Sequence, residues 1–192
     1  MKEYRIAEIR AAAEAAADAE ALILEGVAIL FDTPTTIHGE DGDYIEVIKP
    51  EALKAADLSD SHLFYNHDLN RVPLARTPKT LKLNVDNKGL SFRAMLPDTE
   101  DARAIHTAVK RGDLSGVSFG FTVPEGGDSY DPKTNTRTIN KISKLFEISV
   151  VPFPAYPQTS VEARSQQQAA TANYKAKQNL IMLCNTILRK EV

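Results

Sequence analysis

Three residues supply the types that acyl-transfer chemistry needs, each in apolar company. His67 lies in FYNHD, Ser118 in SGVSFGF and Glu147 in KLFEISVVPF. A serine hydroxyl becomes a nucleophile when a base within hydrogen-bond reach takes its proton, and the base works best when a third group orients it. Serine, histidine and an acid fill those roles in any chain order, because the same geometry recurs on unrelated folds. Taken singly, each residue also has an ordinary structural reading: a histidine on the surface or in the core, a serine tolerated in a strand, a glutamate on the wet side of an edge strand. Ser115 and Ser118 in LSGVSFGF point to opposite faces of an extended chain, so at most one of them serves a given site.

Two other chemistries are available in principle. His62, His67, Asp68 and His106 are possible metal ligands, but the five-residue step from His62 to His67 matches no standard helical ligand pair. Cys184 is the single cysteine and sits in a C-terminal apolar run, where a free thiol packs as a small hydrophobe. No metal and no organic cofactor is required by the serine-based alternative.

The chain that must position these groups has 192 residues, 43% hydrophobic and 26% charged, as expected of one ordinary globular domain. One cysteine rules out an internal disulfide framework and suits a reducing compartment. A net charge of −3 argues against nucleic acid as the main partner. No apolar run approaches the roughly 20 residues of a membrane span, and MKEYRIAEIR lacks a signal peptide's apolar core. A soluble, intracellular protein with no membrane partner is expected.

The pattern along the chain is mostly β. Residues 3–9 alternate weakly, as an edge strand would, and the Ala/acid run 11–21 reads as a solvated helix or tether. An apolar β-type run over 21–31 is interrupted at Glu25-Gly26, a place for a bulge or bend, and DTPTTIHGEDGDY reads as a polar loop. A strand is expected over 44–48, SHLFYNHD over 61–68 reads as a strand emerging into a loop, and Pro50 opens a short helix between them. Runs 80–85 and 90–96 flank Asp86-Asn87-Lys88-Gly89 as a hairpin. Thr99 caps a predicted helix over 100–111, with Ala102, Ile105 and Val109 on one face and Gly112 as its stop. Strands follow over 114–123, 136–142 and 144–151, and the prolines of PFPAYP end the last. Beyond residue 164 the spacing of Ala169, Ala172, Ala176, Leu180, Leu183 and Ile187 predicts an amphipathic helix. Many short strands with few helices imply a β-barrel or a curled mixed sheet.

YNHD, then Arg76 in PLART, a hairpin and helix, GDLSGVSFGF and LFEISVVPFPAYP follow one another over about Tyr4 to Ala163. In that order and rough spacing they resemble the prohead proteases of tailed bacteriophages. The resemblance implies a mainly β fold with flanking helices, a barrel like that of the herpesvirus assembly proteases, spanning residues 1–164. Residues 165–192 lie beyond the resemblance; their helix would serve dimerisation or scaffold docking, be removed on maturation, or simply pack on its own barrel. It implies a serine endopeptidase of capsid maturation, working in the host cytoplasm inside the immature prohead shell with its portal. Its substrates would be the scaffold, the capsid protein's N-terminal segment and itself, with a homo-oligomer as one form. A barrel that has lost its activity and serves as a capsid-assembly or scaffold-binding module is the alternative.

By the same resemblance His67 matches the family's histidine, Ser118 the serine of its S-x-G-F strand, and Glu147 the acid before I/V-S-x-V. Ser115 is the rival nucleophile; Gly120, two residues after Ser118, favours Ser118 because it lets a substrate backbone approach. Asp68 is the rival orienting group, and His62 or His106 would take that place if a second histidine served, as in the herpesvirus enzymes. The loop holding Arg76 would supply oxyanion donors.

Overall fold

The computed structural model describes residues 2–11, 21–39 and 42–152. Its strands are β1 (Lys2–Ala11), β2 (Ile23–Leu30), β3 (Thr35–Gly39), β4 (Gly42–Ile48), β5 (His62–Tyr65), β6 (Ala75–Arg76), β7 (Leu81–Val85), β8 (Gly89–Met95), β9 (Gly116–Thr122), β10 (Asp128–Asp131), β11 (Thr136–Ile139) and β12 (Lys144–Val151). A 3₁₀ turn, Pro50–Leu53, and helix α1, Glu100–Arg111, complete the described elements. Eight strands form a mixed sheet in the order β6-β5-β12-β9-β1-β2-β8-β7, and four form a second in the order β10-β11-β4-β3.

The expected closed barrel is not what the described strands build. β6 and β7 are the two ends of the larger sheet, and no described ladder joins them. The joint of that sheet is β1: residues 2–8 pair with β9, and residues 9–11 pair with β2. A strand expected at an edge is thus an interior one, because its length lets it serve two neighbours in succession. Its weak alternation gave no sign of this. The Ala/acid run from residue 12 and the C-terminal helix lie outside the described residues, as does Cys184.

Elsewhere local chemistry explains the elements. Thr99 accepts the Ala102 amide, Gly112 closes α1 with φ of 83°, and Ala102 and Val109 are buried as the spacing predicted. The β7–β8 hairpin turns at Asp86, whose carboxylate accepts the amides of Lys88 and Gly89. The interruption of β2 falls at Ala28 rather than at Glu25-Gly26, since pairing with β8 slips between Val27 and Ile29. Part of the expected polar loop, TTIHG, is strand β3, and the loop after β9 contains β10. Their polar composition hid them because both are edge strands of the small sheet.

β9 and β12 are the strands that decide the site. Their antiparallel register sets Val117 opposite Val150, Phe119 opposite Ile148 and Phe121 opposite Leu145. These six side chains share one face and join the apolar core, with Phe119 and Phe121 stacked at 5.6 Å. The other face carries Ser118, Gly120, Glu147 and Ser149. Two glycines and two serines in a buried pair of strands are therefore not a weak core; they are the second face of a period-two pattern.

Candidate active site

The polar face is organised in rows across neighbouring strands. Ser149 on β12 stands directly opposite Ser118 on β9, and on its other side is in register with Phe64 of β5. One row along, Glu147 is opposite Gly120 and in register with His62. Paired residues of a ladder project to the same side, so Ser118, Ser149 and Glu147 share one surface. Between Leu145 and Glu147 the β9 register slips, with Phe146 as the extra residue. That bulge lets Leu145 and Ile148, three apart, both face the core while Glu147 turns to the polar side.

His67 reaches this surface from beyond the end of β5. The Asn66 amide still donates to Val150 O at 2.9 Å, after which Asn66 and His67 take φ of 52° and 58°. Left-handed backbone is uncommon for residues with a side chain, though Asn and His are among those that enter it most readily. The turn is held by Asp68 N–H on Tyr65 O and Leu69 N–H on His67 O. It folds the imidazole back over β12, where Nδ1 lies 2.5 Å from Glu147 Oε1. The second carboxylate oxygen accepts the Ser149 hydroxyl at 2.8 Å.

Burial makes these contacts matter. Glu147 is 0% exposed, Ser149 0% and Ser118 1%. A carboxylate out of water is strongly disfavoured unless it is paired and hydrogen-bonded, and here each oxygen has a partner. On the β5 side His62 stacks on Phe64 at 5.8 Å.

The rivals are placed differently. Ser115 is half-buried and precedes β9, outside the ladder with β12. Asp68 serves its own turn, accepting the Asn70 amide at 3.1 Å and lying 3.5 Å from the Arg71 guanidinium. His62, although in register with Glu147, lies with Nε2 3.7 Å from Asp60. His106 is on α1, half-buried. Among the described residues, no three of His, Cys, Asp or Glu gather as metal ligands.

Arg76 lies at one end of the larger sheet. It sits on β6, three strand positions from β9 in the sheet order; at about 4.8 Å per strand that is roughly 14 Å of backbone separation. Its amide donates to Thr80 Oγ1 and its guanidinium to Asp60. Sequence reasoning passed over Ser149, although it lies inside the EISVV string that marked Glu147.

A family model described as the caudovirus prohead serine protease matches residues 7–174. The chain belongs to this family. It is therefore a serine protease of phage capsid maturation. No curated protein is significantly similar to it in sequence. Among solved structures, the bacteriophage T4 capsid assembly protease gp21 is similar, at 12% identity and a TM-score of 0.44, covering 80% of this chain and 99% of its own. Among the described residues of the family member, no helix is long and apolar enough to cross a membrane.

Proposed function

We propose that Ser118 is the nucleophile of this protease, His67 its general base and Glu147 the acid that orients the imidazole. The observation carrying this is the 2.5 Å contact of Glu147 Oε1 with His67 Nδ1, on the same sheet face that bears Ser118. With its Nδ1 proton donated to the carboxylate, the imidazole exchanges protons with serine through Nε2. Nε2 takes the Ser118 proton as Oγ attacks the carbonyl carbon of a peptide bond. The tetrahedral intermediate collapses when His67 gives that proton to the leaving amine, which departs as the new N-terminus. A water, deprotonated by the same nitrogen, then hydrolyses the acyl-serine and restores the hydroxyl. Glu147 remains ionised throughout and stabilises the imidazolium formed in each half.

The substrates we infer are the scaffold protein, the N-terminal segment of the major capsid protein and the protease itself, cut inside the immature prohead. The motif resemblance supports that context, and it also supports kinship with the barrel of the herpesvirus assembly proteases. A fluorophosphonate, which phosphonylates activated serines as Oγ attacks phosphorus and fluoride leaves, tests the assignment directly. Peptide mapping is expected to find the adduct on Ser118 and to find it lost in His67→Ala. An adduct on Ser115, or labelling that survives His67→Ala, would overturn the assignment.

A further inference from the structure

We propose that Ser149 is a positioning residue of the catalytic machinery: its hydroxyl fixes the rotation of the Glu147 carboxylate so that Oε1 meets His67. The inference rests on the triad assignment above and adds a fourth member to it. A carboxylate on a flexible two-carbon stem has a broad terminal torsion, so one hydrogen bond at Oε1 leaves the plane of the group free to swing. The second contact, Ser149 Oγ to Glu147 Oε2 at 2.8 Å, removes that freedom. Ser149 is two residues from Glu147 on the same strand, which puts both side chains on one face whatever the remainder of the sheet does.

Its place in the ladder supports a role tied to the chemistry rather than to packing. Ser149 is directly opposite Ser118, and residues so opposed carry Cβ atoms about 4.5–5.5 Å apart. The hydroxyl therefore occupies the sheet position between nucleophile and acid. An alanine or valine there would fill a buried site flanked by Ile148 and Val150 at no polar cost. A hydroxyl in a fully buried position needs a partner, and the one it has is the oxygen that His67 does not use. A donor to an ionised group is worth more than a neutral pair, so its loss is expected to be felt at His67.

The test is a double-mutant cycle on a scaffold-derived cleavage substrate. Ser149→Ala is expected to lower kcat by about 10–100-fold, the equivalent of one hydrogen bond to a charged group, with KM within about twofold. In a Glu147→Ala background the same substitution is expected to change kcat by less than about twofold, because the group it orients is gone. Equal losses in both backgrounds would overturn the proposal, showing that Ser149 acts through the fold, and would leave the triad assignment intact. Full activity of Glu147→Ala would instead overturn the triad assignment and this proposal with it. Should Ser149→Ala fold poorly, Ser149→Cys, close in size with a weak donor, carries the same cycle. A second readout needs no activity: in Ser118→Ala protein the far-downfield Nδ1–H resonance of His67 is expected to be sharp, and to broaden by faster exchange once Ser149→Ala is added. An unchanged line width would overturn the proposal while leaving Ser118 untouched.

Discussion

Glu147 and His67 are 80 residues apart in sequence and meet at 2.5 Å, the carboxylate fully buried and the imidazole at the edge of the buried face. Three features of backbone create the contact. The parallel β5–β12 ladder sets Glu147 beside His62, five residues before His67. The left-handed pair Asn66-His67 then reverses the chain, so the ring returns to the row it would otherwise have left. The bulge at Phe146 supplies the third adjustment by turning Glu147 toward the ring.

Replacing the acid tests that contact most directly. Glu147→Gln keeps the size of the side chain and removes the charge, and the amide can present an N–H to Nδ1 and hold the wrong tautomer. A drop in kcat of roughly 10²–10⁴-fold is expected, short of complete loss. Asp68→Asn, whose parent carboxylate serves its own turn, is expected to stay within a few-fold of wild type. Steady-state kinetics on both variants decide the matter: a wild-type Glu147→Gln would return the orienting role to Asp68 or a histidine.

Loss of the proposed nucleophile should be unmistakable. Ser118→Ala is expected to reduce turnover by roughly 10⁴–10⁶-fold and to abolish self-cleavage. The substitution trims one buried oxygen without opening a cavity, so the melting temperature should hold within a few degrees. Ser115→Ala, outside the β9–β12 ladder, is expected to cleave normally. Mass spectrometry of the chain after expression, with and without Ser118, reads both outcomes.

Much of this arrangement was legible in the sequence because it follows from alternation. Gly116, Ser118 and Gly120 alternate with Val117, Phe119 and Phe121, and that alternation by itself identifies a strand with one apolar and one small polar face. Helix α1 was equally legible, since Thr99, Gly112 and the apolar spacing are short-range signals. What could not be read is long-range or context-dependent. The interior place of β1 depends on pairing with strands far along the chain. The bulge at Phe146 breaks the very alternation used to read strands, and the left-handed φ of His67 has only a weak signature in NHD, residue types that enter that region more readily than most. Arg76 illustrates the same limit: proximity in a motif order did not reveal the β5 and β12 strands that separate it from Ser118.

The His67 turn makes its own prediction. Asn66 takes φ of 52° beside the base, a region that a β-branched residue enters only with strain. Asn66→Val is expected to destabilise the protein by about 1–3 kcal/mol and to lower kcat by displacing the imidazole from Glu147. Asn66→Gly, which adopts positive φ without penalty, is expected to keep most of the activity. Equal activity of the two variants, measured alongside urea unfolding, would show that the turn's conformation does not govern His67.

The second sheet holds an ion cluster that should govern stability and leave chemistry alone. Arg137 on β11 donates from Nε to Asp128 at 2.7 Å and from a terminal nitrogen to Glu46 at 3.1 Å. Glu46 is 2% exposed and is in register with Arg137 across the parallel β4–β11 ladder. Arg137→Met would deprive a buried carboxylate of its guanidinium, and breaking such a pair from one side typically costs about 3–5 kcal/mol. Glu46→Leu combined with Arg137→Met removes the buried Glu46–Arg137 pair and is expected to regain part of that loss, since an apolar pair can replace a buried ion pair at little net cost while Asp128 still loses its guanidinium. Denaturant unfolding of the single and double variants gives the two energies. The kcat of whatever fraction remains folded should match wild type, because no member of the cluster lies on the face that carries Ser118. A single variant as stable as wild type would mean that Glu46 is held ionised by other groups, or is neutral in the folded protein.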